Sequence, residues 1–189
     1  METYTSVKPL VFNPGYSTGR QNALDQLKVE IRAGRIDPPL IDILTMISGL
    51  PCCYTLQSCF GHFVHEKQRN EQNFEPLARY EGTVAEVTWR IAYMAFCIED
   101  SPDGRALCSA LQDLTTIDPN NVQFGCADWF LEQCVNSYVF QVSPERFRYQ
   151  DTMILSMQEA LQVEHVRDLL FQRLCRIISA HPTRDGFTQ

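Results

Sequence analysis

The sequence predicts a single α/β domain in which helices pack on a mixed β-sheet, without the regular repeat of a Rossmann fold. Its 189 residues are enough for one full hydrophobic core and few for two. Hydrophobic residues make up 44% of the chain and charged residues 21%, which are ordinary values for a globular domain. Segments with helical and with β-type spacing follow one another in the order ααββαββα.

The helices are predicted from apolar spacing and from residues that begin or end a helix. The first covers about 21–33 and ends at Gly34, and the second runs from an N-cap at Asp37 to about residue 48. Ser101 caps the third, and the last covers 151–179. This last helix is long and amphipathic, so it could supply the interface of a homo-oligomer. Residues 1–20 are expected to form an irregular arm and 180–189 a tail.

Four strands are predicted from β-rich, alternating segments. They cover about 52–59, 83–99, 120–133 and 136–147. The second becomes apolar on both faces after Ile91, as expected of a central strand covered by helices. Between the first two strands, the polar segment 66–82 is expected to be a surface loop, a common location for functional residues.

Composition narrows the compartment and the partners. The net charge of −7 disfavours a general nucleic-acid-binding protein, although a local basic patch could still bind RNA. The sequence shows no apolar run of membrane-spanning length, and no secretory signal is expected. Its eight cysteines include no CxxC pair, and most lie in apolar segments, so reduced thiols are expected. We therefore expect a cytoplasmic protein.

The stretch "YTLQSCFGHFVHE", residues 54–66, is the main candidate for a functional site. Gly61 would permit a positive φ or a close backbone approach, and such a turn can bind a carboxylate or phosphate. Cys59 with His62 or His65 could form a thiol centre. Cys59, His62 and His65, with Glu66, could instead bind a metal, although C-x₂-H-x₂-H is not an established zinc spacing. A purely structural turn is the fourth interpretation, and the ligand-binding turn is favoured.

Two further segments contribute candidates. Gln123, Asp128 and Trp129 lie near Gly125, a glycine within a strand, which often indicates close approach of a ligand. Arg146 follows the next strand and could bind a carboxylate. P-loop, GxGxxG, HExxH, GxSxG and kinase motifs do not occur in the sequence.

Residues 36–62, "IDPPLIDILTMISGLPCCYTLQSCFGH", resemble the N-terminal region of the tRNA wybutosine-synthesising methyltransferase family. In that family a tyrosine–threonine strand ends in a Ser-Ser-Cys-Ser-Gly-Arg signature. Tyr54, Thr55, Ser58, Cys59 and Gly61 match it in order, whereas His62 replaces the arginine. The resemblance implies an α/β fold outside the Rossmann methyltransferases, S-adenosylmethionine as cofactor and tRNA as a possible partner.

The expected function is therefore binding of a small ligand, possibly S-adenosylmethionine, at the Ser58–His62 turn, with methyl transfer to a tRNA base as the implied reaction. Ligand-binding residues would be Tyr54, Thr55, Ser58, Gly61, Gln123 and Arg146. Cys59 and His62 are the catalytic candidates, with His62 as a polar contact or general base. A non-catalytic binding or assembly module and a thiol- or metal-dependent enzyme remain alternatives.

Overall fold

The computed structural model describes residues 4–127 and 135–181. It contains the following helices and strands: β1 (Tyr4–Thr5), α1 (Tyr16–Arg32), α2 (Ile41–Ser48), β2 (Cys53–Cys59), β3 (His62–Val64), β4 (Glu86–Arg90), β5 (Ala92–Ile98), α3 (Pro102–Gln112), β6 (Val122–Ala127), β7 (Ser137–Val142), β8 (Thr152–Ser156) and α4 (Met157–Ser179). The predicted α/β class, with helices packed on β-sheet, is confirmed.

The strands form two sheets rather than one. Five strands pair in the order β1-β6-β7-β5-β2, and three pair in the order β3-β4-β8. Every strand pair among the described residues is antiparallel. Helices α1 and α2 contact the edge strand β2. Helix α4 contacts strands β4, β7 and β8, and it also contacts helices α2 and α3. One large core of buried side chains therefore connects both sheets to α2, α3 and α4.

The two sheets meet where the chain bends between β2 and β3 and, opposite this, between β4 and β5. The predicted strand 83–99 is interrupted at Ile91, so that β4 belongs to one sheet and β5 to the other. Opposite this break, Phe60 and Gly61 separate β2 from β3, with Cys59 paired to Tyr93 and His62 paired to Arg90. The prediction of a single central strand was wrong. The chain bends at Ile91, so the apolar pattern continues from β4 into β5 although the two strands belong to different sheets.

The last helix begins later than predicted. Residues 152–156 form β8, in which Met153 and Leu155 are buried and their neighbours are exposed. The helix starts after Ser156, whose side chain accepts the backbone N–H of Glu159, while the Glu159 carboxylate accepts the N–H of Ser156. This reciprocal pair is a capping box. The remaining 23 residues span about 34 Å.

The apolar face of α4 is used within the protein itself. Its buried residues belong to the large core, and they include Val163, Val166, Leu170 and Leu174. This face is therefore buried against the rest of the same chain, and the homo-oligomer stays a prediction.

Among the described residues the cysteines form no disulfide, and most are buried. Cys134 lies outside the described residues. Within the described part of the chain, no helix combines the length and the apolar character needed to cross a bilayer.

Candidate functional site

The turn between β2 and β3 is held in a conformation that requires glycine. Gly61 has a φ of +88°, and a Cβ placed on it would lie 2.1 Å from a ring carbon of Trp89. Trp89 cannot move aside easily, since it is fully buried and its indole N–H donates to the Val142 carbonyl at 3.2 Å. The positive φ and the close approach considered from the sequence therefore both occur at this residue.

Three polar side chains meet at this turn: Asp37, Cys59 and His62. One nitrogen, oxygen or sulfur atom of each side chain lies within 4.8 Å of the corresponding atoms of the other two. His62 is 5% exposed, and its Nε2 is 3.3 Å from Asp37 Oδ2. Asp37 Oδ2 also accepts the backbone N–H of Phe60 at 2.8 Å. We call these residues the Asp37–Cys59–His62 cluster.

Asp37 reaches the cluster because it does not cap a helix. The segment Pro38–Leu40 forms a 3₁₀ turn before α2, and the Asp37 side chain makes no capping hydrogen bond to it. The predicted N-cap role of this side chain was wrong, because the carboxylate is bound by Phe60 and His62 instead. Asp37 is thus a site residue that the sequence analysis assigned to helix structure alone.

The protonation of His62 follows from its two partners. Nδ1 is 2.6 Å from the Glu71 carbonyl, which can only accept, so this nitrogen carries a proton. Hydrogen bonds to Asp37 and then to Cys59 raise the pKa of His62 to about 10, against the opposing effect of burial. Burial acts to raise the pKa of Asp37, but the hydrogen bonds from His62 and the Phe60 N–H outweigh it and lower that pKa. At neutral pH the pair is therefore an imidazolium and a carboxylate, which suits a polar contact better than a general base.

Two adjoining cavities run past the turn. The larger, about 730 Å³, lies along β2 beside α1, and we call it the β2 groove. The smaller, about 240 Å³, contains the Asp37–Cys59–His62 cluster in its wall, and we call it the His62 cavity. Both cavities are lined by the same four residues at their junction: Arg35, Ile36, Gln57 and Ser58.

Charged side chains surround the His62 cavity. Arg90 is 3.6 Å from the Glu71 carboxylate, and both side chains are more than half exposed. Arg35 donates from Nη2 to Glu30 Oε1 at 2.9 Å. These exposed ion pairs contribute little to stability, so either guanidinium could turn toward an anionic group in the cavity.

The structure brings most, but not all, of the predicted site residues together. Tyr54, Thr55 and Ser58 line the β2 groove, and Ser58 also lines the His62 cavity. Gln123 is buried elsewhere and donates to the Ser143 carbonyl at 2.8 Å. Arg146 pairs with Glu159 and lies over the Phe147 ring, beside a different cavity. Gln123 and Arg146 therefore do not join the turn, and Asp128 and Trp129 lie outside the described residues.

His65 does not join Cys59 and His62. The centroids of the His65 and Tyr80 rings are 4.3 Å apart, with the ring planes at 60°. His65 lines another cavity together with Glu66. The metal set of Cys59, His62, His65 and Glu66 considered from the sequence is thus not assembled, because β3 directs alternate residues to opposite faces.

The comparisons with known proteins support the fold alone. A scan against protein-family models gave no match, and no curated protein matches the sequence. Two solved structures of the PH1069 protein from Pyrococcus horikoshii are similar, each with a TM-score of 0.50 and 14% identity. The alignments cover 88% of this chain and 93% of the first structure, and 92% and 96% for the second. A hypothetical protein from Aeropyrum pernix aligns with a TM-score of 0.40 and 11% identity, covering 76% of this chain and 98% of that one.

Proposed function

We propose that the protein binds S-adenosylmethionine in the β2 groove and transfers its methyl group to an acceptor held in the His62 cavity. The observation that carries the proposal is the junction of the two cavities at Ser58. The residues that resemble the methyltransferase signature lie along this path, with Tyr54 and Thr55 in the groove and Cys59 in the cavity. In this proposal the donor and acceptor sites meet where Arg35, Ile36, Gln57 and Ser58 line both cavities.

The lining of the β2 groove fits this cofactor. Its volume falls within the range of about 300–1,000 Å³ usual for small-molecule sites. Leu27 and Leu44 offer apolar contacts to an adenine ring, and Glu30 can accept hydrogen bonds from ribose hydroxyls. Ser58 and Arg35, at the junction, are suited to the cofactor carboxylate.

The bound cofactor would supply an electrophilic methyl group on a sulfonium. What the protein must then provide is mainly position, because aligning donor and acceptor removes most of the entropic cost of the reaction. The Asp37 carboxylate, held by the buried His62 imidazolium, would accept a hydrogen bond from the acceptor at one wall of the cavity. Gln57, between the two cavities, would limit access of water.

The His62 cavity admits only a small group, such as part of one base or a short substituent on it. A tRNA acceptor, as the resemblance implies, would have to present a single extruded nucleotide. Arg35 and Arg90 beside the cavity would offset locally the overall charge of −7.

The β2 groove can be tested by filling it. Gln57 is exposed and lies at the junction, so Gln57→Trp should block the groove without disturbing the core. We expect isothermal titration calorimetry in EDTA-containing buffer to detect S-adenosylmethionine binding to the wild type and at least a tenfold weaker affinity for this variant. Thr88→Trp adds the same side chain at an exposed position of β4, beside another cavity. This variant should bind S-adenosylmethionine as the wild type does.

The outcomes separate the candidate functions. Absence of binding at millimolar S-adenosylmethionine would exclude the methyltransferase proposal. Binding without methyl transfer to any tRNA pool or nucleoside would favour a non-catalytic ligand-binding module. Equal affinity in Gln57→Trp and the wild type would place the ligand outside the β2 groove.

A further inference from the structure

We infer that the Asp37–Cys59–His62 cluster is a mononuclear zinc site with three protein ligands and one open position facing the His62 cavity. This inference does not rest on the proposed function. It concerns a set of ligands that the sequence does not suggest, because Asp37 is far from the turn in the chain and His65 is excluded from it.

The donor atoms suit Zn²⁺ in kind and in spacing. Thiolate, imidazole and carboxylate are its usual protein ligands, at about 2.3, 2.0–2.1 and 2.0–2.2 Å respectively. In a tetrahedral site these lengths place a ligand nitrogen and oxygen about 3.4 Å apart. The observed separation of His62 Nε2 and Asp37 Oδ2 is 3.3 Å. Cys59 Sγ lies within 4.8 Å of both atoms, so it needs to move inward by no more than about 1.3 Å to reach a tetrahedral ligand position.

Each ligand is also oriented by a group outside the cluster. His62 Nδ1 donates to the Glu71 carbonyl at 2.6 Å, which fixes the ring and leaves Nε2 for the metal. The Phe60 N–H donates to Asp37 Oδ2 at 2.8 Å, and the Gly61 N–H points to Cys59 Sγ at 3.4 Å. Such outer contacts accompany metal-ligating side chains almost universally and hold them ready for the ion.

This arrangement is less suited to a thiol catalyst of the cysteine–histidine–aspartate type. In such a relay one imidazole nitrogen faces the thiol and the other faces the carboxylate. Here Nδ1 is occupied by the Glu71 carbonyl, so Asp37 and Cys59 share the Nε2 side. Nor are the two nearest backbone N–H groups available for an oxyanion, because they are directed to Asp37 and Cys59.

The fourth position would face the polar His62 cavity. That cavity is about 240 Å³, and Ser58, Glu71 and Arg90 contribute to its lining. A site with three protein ligands and room for water or substrate is the form found in catalytic zinc centres, whereas structural sites are closed by four. The ion would displace the protons of His62 Nε2 and of the Cys59 thiol into solvent, because both atoms must be unprotonated to bind.

The test uses untagged full-length protein, stripped with EDTA and reduced, at pH 8 without S-adenosylmethionine. Titration with Co²⁺ should give one equivalent with the visible d–d bands of a tetrahedral site and a thiolate-to-cobalt charge-transfer band. Competition with a chromogenic chelator should then show Zn²⁺ displacing Co²⁺. Cys59→Ser should lose the charge-transfer band and weaken Zn²⁺ binding by at least a hundredfold, and Asp37→Asn by at least tenfold.

Cys108→Ser is the matched control, because Cys108 is a free, half-buried thiol outside the cluster. It should keep the wild-type spectrum and affinity. A wild type that takes up no Co²⁺ or Zn²⁺ would overturn the inference without affecting the cofactor test, which is done in EDTA. So would a charge-transfer band that persists in Cys59→Ser, since another cysteine would then be the ligand.

Discussion

Replacing Gly61 by alanine is expected to lower the free energy of unfolding by about 3–5 kcal/mol. Two costs add together. The backbone must keep a φ of +88°, which disfavours any residue with a Cβ by about 1–2 kcal/mol. The added methyl would also lie 2.1 Å from Trp89 and 2.9 Å from the Ala92 Cβ, two fully buried side chains. Because the bend joins both sheets, relief of this overlap would disturb both.

Gly34→Ala is the matched control for this prediction. Gly34 has a φ of +64°, but a Cβ there would meet no atom within 4 Å. It should therefore cost only the backbone term, about 1–2 kcal/mol. Urea denaturation of both variants and the wild type measures the difference. Equal losses in the two variants would show that Trp89 does not constrain the turn.

The sequence predicts the role of Gly61 in a turn, but it does not predict the bend between β4 and β5. Alternation in β4 and the apolar run of β5 are both visible in residues 86–98. Nothing in alternation says which sheet a strand joins, because that depends on partners distant in the chain. A two-sheet arrangement needs the pairing of Cys59 with Tyr93 and of His62 with Arg90, which is fixed only when the whole core packs.

The start of α4 follows from a local rule of helix capping. Ser156 and Glu159 have the spacing of a capping box and stand just before the helical stripe. The alternating burial at Met153 and Leu155 is typical of a strand. Reading 151–179 as one helix was wrong because apolar residues in 153–157 fit a helical and a β-type period equally over so short a segment.

The candidate site was half predictable for a similar reason. Cys59, Gly61 and His62 are neighbours in the chain, so their chemistry is visible in one short stretch. Asp37 and Glu71 reach His62 through tertiary structure, and an aspartate before two prolines is read first as a helix cap. The residue types of the turn therefore predict a site there, whereas the partners that set the charge of His62 come from the fold.

Arg167→Met is expected to lower the free energy of unfolding by about 2–4 kcal/mol. Arg167 lies on α4, is 5% exposed, and donates from Nε to Asp168 Oδ1 at 2.9 Å. Its guanidinium lies over the rings of Phe60, at 4.4 Å, and Phe63, at 5.3 Å. Methionine keeps the apolar stem but loses both the charge and the cation–π contacts. The effect should therefore reach the Phe60–Gly61 turn.

Arg146→Met makes the same change on an exposed arginine that is also paired with an acid and stacked on a ring. Because the Arg146 side chain is 55% exposed, its loss should cost no more than about 1 kcal/mol. Urea denaturation measures the free energy of unfolding of both variants. A similar loss in the two would contradict the expectation that the buried arginine contributes more than the exposed one.

The cost of Arg167→Met should also depend on pH, through Glu164. Burial raises the pKa of Glu164 above its ordinary value of 4.5, and the Leu77 N–H and Arg167 act against this increase. Removing Arg167 therefore raises that pKa further. A carboxyl whose pKa is higher in the folded state takes up its proton there first, so stability rises as the pH falls through the folded pKa towards 4.5. The difference between Arg167→Met and the wild type should consequently be smaller at pH 4.5 than at pH 7, and a difference that is unchanged or larger at the lower pH would show that Glu164 does not depend on Arg167.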